Sequence, residues 1–214
     1  NYRRPLVLAV SLALFQQFCG INAIMYYSTK IFASAGAVKN DAFASSVWVG
    51  LINLVFTLVA IAFVDRLGRR PLLLIGTAVQ AVALLLVGWL FHTGQHGPLL
   101  LGAVVLFIAA FAMAMGPITW LFCSEIFPNQ IRGRAMSVAA FAIWVACYLV
   151  AQTFPMMNDS AAVGPAVTFW IYAAVSLASF FFVLVMIPET KGRTLEEIGR
   201  MWQPASTAPK GREP

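Results

Sequence analysis

The chain has 214 residues, of which 61% are hydrophobic and only 10% charged. Soluble domains carry about 25% charged and about 45–50% apolar residues, so a soluble core of this size cannot absorb the excess, and the bilayer is the solvent the composition fits. The formal charge of +6 does not point to nucleic acid, because the cations stand in short clusters between apolar runs rather than along one face.

Six apolar segments follow in chain order, at about 6–27, 45–64, 71–91, 99–122, 136–155 and 166–187. A helix needs about 20 apolar residues to cross a hydrocarbon core about 30 Å thick. Barrel strands would be about half as long, so an all-α membrane protein with six transmembrane helices is expected. Arg3, Arg4, Arg66, Arg69, Arg70, Arg132, Arg134, Lys191, Arg193, Arg200, Lys210 and Arg212 fall on one side of these spans, and only Lys30 and Lys39 on the other. The positive-inside rule then puts both ends in the cytoplasm. After Pro188, Thr194 and Glu197 fit a capping box for a helical tail at 188–203, while 204–214, rich in Pro, Ala, Ser and Thr, reads as disordered. No initiator methionine stands at Asn1, and the chain reads as a piece of a longer one.

The three cysteines, Cys19, Cys123 and Cys147, fall in apolar surroundings with no CxxC spacing, and read as buried thiols. His92 and His96 lie in a short polar stretch between spans. Neither a metal nor a cofactor is expected.

The first span departs from a simple anchor. It contains Gln16, Gln17, Gly20, Asn22, Tyr26 and Tyr27 in the run QQFCGINAIMYY. On a straight helix Gln16, Tyr27, Gly20 and Gln17 fall at about 0°, 20°, 40° and 100°, one polar arc, with Asn22 at about 240°. A break at Gly20 would turn Asn22 back to the same side. Two readings stay open: amides that glue helices together, and amides that line a substrate route. In the second span Asn53 is an isolated amide, with glue and ligand equally open.

The fourth span carries Gly116, Pro117 and Trp120. Pro117 removes a helix hydrogen bond and Gly116 permits flexing. Trp120 stands about 7 Å of helix rise from Glu125, somewhat inside an interfacial aromatic belt, which is its other reading. The interrupted first and fourth spans open two consecutive triplets, and an odd number of spans makes the second triplet enter from the opposite side. Interrupted segments at matching positions of inverted repeats point to a transporter site.

Charged loops separate the spans. Asp65, Arg66, Arg69 and Arg70 form one turn, Glu125 and Arg132 flank another, and Glu189 follows the sixth span. Exposed pairs contribute about 0–1 kcal/mol each. Several that form in one state and part in another would bias a rocking equilibrium of a few kcal/mol, while cations that only set topology are the simpler reading.

The blocks QQFCGINAIMYYS at 16–28, DRLGRRP at 65–71, GPITWLFCSEIFPNQIRGRA at 116–135 and PETKGRTLEEI at 188–198 resemble, in order and position, the carboxy-terminal half of a sugar porter of the major facilitator superfamily. The run Thr153-Phe154-Pro155-Met156-Met157 resembles bacterial proton–pentose symporters more than animal glucose facilitators. The resemblance implies alternating-access transport of a monosaccharide in the cell membrane, by proton-coupled symport, with a second six-helix half preceding this one. It implies that Gln16, Gln17, Asn22 and Asn53 hydrogen-bond sugar hydroxyls, that Trp120 packs on the ring with Trp144 among the substrate contacts, and that Tyr26 and Tyr27 close the outer side. Amides suit a neutral polyol because they both donate and accept.

The chain departs from that pattern where the family often has amides beside the fifth-span tryptophan: Ile143 and Cys147 stand there. Substrate identity therefore does not carry over. No span holds a mid-membrane Asp or Glu, so the residues leave symport and uniport open. A carrier of another polyol such as inositol and a transport-dead sugar sensor are the alternatives. An enzyme is not expected, since no Ser/His/Asp, paired-carboxylate or HExxH arrangement is present.

Overall fold

The structure, a computed structural model, describes residues 2–34, 39–95, 97–192 and 197–198. The described residues form helices and turns, with no strand. The helices are α1 (Arg3–Phe18), α2 (Ile21–Ser34), α3 (Lys39–Leu67), α4 (Arg69–His92), α5 (Pro98–Met113), α6 (Met115–Glu125), α7 (Asn129–Asn158) and α8 (Gly164–Met186). Among the described residues six stretches are long and apolar enough to cross a membrane: Arg3–Thr29, Val47–Leu67, Arg69–His92, Pro98–Glu125, Asn129–Asn158 and Gly164–Met186. Most reach a few residues past the apolar segments, because a helix continues into the polar boundary once it has begun. The expected tail lies outside the described residues, except for 188–192 and 197–198.

Two of the six stretches are broken, the first between α1 and α2 and the fourth between α5 and α6. The first break sits at Cys19 and Gly20, with Gly20 at φ +87°. That left-handed conformation costs glycine nothing that an L side chain would not pay more dearly. The fourth-span break is not at Gly116 or Pro117, as the sequence suggests, but at Ala114 (φ −127°, ψ −84°). A proline ring crowds the carbonyl four residues before it and leaves that carbonyl without a donor. For Pro117 that carbonyl belongs to Met113, so the distortion appears upstream while Gly116 and Pro117 remain helical.

Packing places the broken spans at the centre. Leu8, Leu12, Ile24, Phe107, Ile108 and Phe122 are fully buried. By contrast α3 leaves Leu51, Leu54, Val55, Leu58 and Ile61 between 45% and 58% exposed. In water such a surface would be an association site; for a membrane-spanning helix it is what lipid or a second set of helices covers.

Helices α4 and α8 run antiparallel. Arg70 near the start of α4 donates from Nη2 to the Leu184 carbonyl near the end of α8 at 2.7 Å. At the other end the Phe91 and Phe169 rings stack at 5.4 Å, and the His92 and Trp170 rings lie 5.6 Å apart. His92 thus closes α4 against an aromatic ring rather than standing in a polar loop; His96 lies outside the described residues. All three cysteines are free and buried.

Candidate functional site

The two breaks meet through one side chain. Gln16, 3% exposed near the end of α1, donates from Nε2 to the Met115 carbonyl at 2.8 Å and to the Gly116 carbonyl at 3.1 Å. Those carbonyls belong to the first turn of α6, directly after the break at Ala114. The donation fixes the Gln16 amide so that its Oε1 faces Gln17, whose Nε2 lies 3.5 Å away. Gln17 in turn accepts on Oε1 from Asn22 Nδ2. The three amides therefore form a directional relay running from Asn22 across the Gly20 break to the fourth span. On an unbroken helix Asn22 would stand about 140° from Gln17; the break brings the two side chains together.

The relay has a chemical consequence. Each amide carries two donor hydrogens and an acceptor oxygen. The Gln16 and Gln17 oxygens each already accept a hydrogen bond within the relay, while the half-buried Asn22 lies at its open end. A neutral ligand with several hydroxyls matches such a wall, because each hydroxyl both donates and accepts.

The other candidates stand apart from the relay. Asn53 is half-buried and accepts from Thr57 Oγ1 at 3.4 Å, one turn along the same helix. Trp120 is 39% exposed and Trp144 68% exposed. Trp120 lies one turn beyond Gly116 on α6, so it follows the carbonyl that Gln16 engages by about 6 Å along the helix. Ile143 and Cys147 are both buried.

The tyrosine pair divides. Tyr26 is 60% exposed, with its hydroxyl 3.8 Å from Cys147 Sγ on α7. Tyr27 turns inward, its ring 5.0 Å from that of Phe154. Its backbone leaves the helical region at φ −108°, ψ 15°, a second bend in the first span. Consecutive side chains on a helix point about 100° apart, so one tyrosine of such a pair is free to face open space while the other packs.

At the end of the bundle that carries Arg69, a charge network ties three segments together. Arg69 is within 3.0 Å of Asp65 and 2.7 Å of Glu125. Thr190 Oγ1 donates to the second Glu125 oxygen at 2.6 Å. Among the described residues Glu189 pairs with no guanidinium. Its two oxygens accept from the backbone N–H groups of Arg69 and Arg70, each at 3.1 Å. It caps the first turn of α4 from a segment more than a hundred residues away, where N–H groups lack helical partners and the helix dipole favours an anion. Gly68, at φ +93°, makes room, since a Cβ there would lie 2.7 Å from a Glu189 oxygen. Arg66 contributes its carbonyl to Lys191 Nζ. Arg132 donates to the Phe127 carbonyl at 3.4 Å, within the turn it closes, and among the described residues it pairs with no carboxylate.

Sequence reasoning passes over two residues here, and over the role of a third. Tyr172 of α8 packs on Gly20, where a Cβ would meet its ring at 2.5 Å. Gln80 of α4 is fully buried, a lone amide inside the third span, and that is a signal the pattern offered. Glu189 as a cap had none, since its partners are backbone groups.

Six apolar helices, two of them broken and joined at their breaks by a buried amide, define a class, a helical integral membrane protein, and the solved structures it matches make these helices one six-helix half of the major facilitator fold. The chain matches the structure of the proton:xylose symporter XylE bound to 6-bromo-6-deoxy-D-glucose with a TM-score of 0.85 and 41% identity, over 92% of this chain and 42% of that one. A family model described as "Sugar (and other) transporter" matches residues 1–202. The chain is 41% identical over 203 residues to the D-xylose-proton symporter of Escherichia coli (strain K12), covering 93% of this chain and 41% of that protein. It is 41% identical over 201 residues to the arabinose-proton symporter of Bacillus subtilis (strain 168), covering 94% and 43%. The chain belongs to the sugar (and other) transporter family, a family of transporters and not of enzymes, and spans about two-fifths of the length of these relatives.

Proposed function

We propose that these six helices form one wall of a monosaccharide pathway, completed by a second six-helix half, in a secondary transporter that works by alternating access. The observation that carries this reading is the amide relay from Asn22 through Gln17 to Gln16, anchored on the Met115 and Gly116 carbonyls. Intramembrane polar groups are costly and mark substrate routes, and here three amides gather at two helix breaks. In this reading Gln17 and Asn22 bind sugar hydroxyls and Gln16 holds them in place. Asn53, Trp120 and Trp144 complete the wall, and Tyr26 closes its outer side. Replacement of the family's amides by Ile143 and Cys147 leaves fewer polar contacts along α7, which favours a sugar presenting few hydroxyls there.

The names of the two symporters among the relatives support proton-coupled symport as the mode of transport, with the coupling acid in the other half. Both chain ends lie on the cytoplasmic side, where the charge network stands, and the bilayer is that of the cell membrane. The test is uptake of a panel of pentoses and hexoses by the full-length protein at two external pH values. Saturable uptake that Gln17→Ala weakens at least tenfold (about 1.4 kcal/mol) supports the reading. Saturable uptake that Gln17→Ala leaves unchanged overturns the site. Uptake of no sugar overturns the function.

A further inference from the structure

The first span bends twice, at Gly20 and at Tyr27, and the short helical piece between the bends carries Asn22 and Tyr26. One column of aromatic rings touches both bends. The Tyr172 ring of α8 packs directly on Gly20, where a Cβ would lie 2.5–2.9 Å from three of its carbons. Tyr172 stacks on Phe154 of α7 with centroids 6.5 Å apart and planes 19° from parallel. Phe154 then meets Tyr27 at 5.0 Å. Phe169 backs the column edge-on, 6.2 Å from Phe154 and 6.5 Å from Tyr172, and itself stacks on Phe91 of α4. Phe154, Phe169 and Tyr172 are all buried.

We propose that Tyr172 and Phe154 are positioning residues: with Tyr27 they form an aromatic brace that sets the angle of α2 against α1, and so where Asn22 and Tyr26 stand. A glycine in a left-handed conformation permits a break but does not fix its angle, since glycine has the widest range of backbone conformations. A second contact must hold the angle, and flat rings in close-packed surroundings do so with little freedom to yield. The Tyr172 hydroxyl is buried with no hydrogen-bond partner among the described residues, so the ring rather than the hydroxyl bears the contact. The brace itself is a claim about α2. Its effect on sugar affinity rests on the function proposed above.

The test uses the full-length protein, with cysteines outside this half removed and spin labels at Thr29, exposed on α2, and Val82, exposed on α4. The three cysteines of this half are buried, and labelling of the parent without the two added sites sets the background. Phe154→Leu and Tyr172→Leu are expected to shift or broaden the Thr29–Val82 distance distribution and to raise the sugar Kd about tenfold, or 1.4 kcal/mol. Tyr172→Phe is expected to leave both unchanged. Phe107→Leu, which removes a fully buried ring outside the column, is expected to lower the melting temperature without moving the distances. If Phe154→Leu does not accumulate, Phe154→Met keeps most of the volume without the ring. An unchanged distribution in the Phe154 and Tyr172 variants, or an equal change in Phe107→Leu, overturns the brace. A protein that binds no sugar overturns the function alone, because the distances still decide the brace.

Discussion

Gln16 on α1 donates its side-chain amide to the Met115 carbonyl at 2.8 Å, across 99 residues of sequence, and thereby joins the two broken spans. The bond is buried and directional. Gln16→Glu keeps the shape but places an acceptor opposite two carbonyls. A buried polar group left unsatisfied costs about 1–3 kcal/mol. We expect sugar affinity to fall about thirtyfold, corresponding to about 2 kcal/mol, measured by equilibrium binding to the full-length protein. Gln16→Leu, which leaves nothing to desolvate, should perturb the fold less than Gln16→Glu. The reverse order of melting temperatures would show that Gln16 does not act as a donor.

Gly20 makes the second test. A side chain there meets both a left-handed backbone (φ +87°) and the Tyr172 ring at 2.5 Å. Backbone strain of this kind costs about 1–3 kcal/mol before any clash is counted. Gly20→Ala should therefore lower the melting temperature in detergent, and Gly20→Ala combined with Tyr172→Ala should lower it by less than the two changes summed. Strict additivity would mean that the ring does not press on the break, since contacting residues couple and distant ones do not.

The two broken spans show how far the sequence can be read. Glycine among amides and proline in an apolar run are local signals, and they pointed to the right spans. The position of the second break was displaced to Ala114, because proline acts on the carbonyl four residues before it. The relay between Gln16, Gln17 and Asn22 was legible as a need for a break at Gly20. The anchor on Met115 was not, because a backbone carbonyl carries no residue identity. For the same reason the Glu189 cap on α4 is not legible: a carboxylate near arginines suggests guanidinium, yet it accepts from their backbone N–H groups. Tyr26 and Tyr27 read as a unit in sequence and separate in space, since adjacent helical positions diverge by about 100°.

The charge network gives a third prediction. Glu189 accepts from the Arg69, Arg70 and Lys191 N–H groups at 3.1, 3.1 and 2.9 Å. Among the described residues Asp65 pairs with the Arg69 side chain alone, and it is 79% exposed. Capping interactions contribute typically about 1 kcal/mol, whereas exposed ion pairs contribute about 0–1 and are screened by salt. Glu189→Ala should lower thermal stability clearly and by a similar amount at low and high salt. Asp65→Asn should have a small effect that vanishes in about 1 M salt, where the screening length is about 3 Å. A Glu189→Ala effect that salt removes would mean that it acts as a surface charge and not as a cap.

The fourth prediction concerns the contact between α4 and α8. Gln80 is fully buried, and among the described residues neither atom of its amide has a hydrogen-bond partner; the same holds for the Ser176 and Ser179 hydroxyls. The antiparallel register fixed by Arg70 with Leu184 and by Phe91 with Phe169 puts Gln80 level with these two serines, in the middle of the membrane. Unsatisfied polar groups in hydrocarbon cost several kcal/mol, so the amide and the hydroxyls are expected to bond to one another in the membrane. Interhelical bonds of this kind contribute about 0.6 kcal/mol on average, since the unfolded state in the membrane also finds partners. A double-mutant cycle of Gln80→Leu with Ser176→Ala and Ser179→Ala, read from unfolding in mixed detergent, should therefore give a coupling of about that size. A coupling indistinguishable from zero would show that the amide and the hydroxyls do not bond to one another. Gln80→Leu alone would then be neutral or stabilising, as expected when a buried amide without a partner is replaced by an apolar group of similar shape.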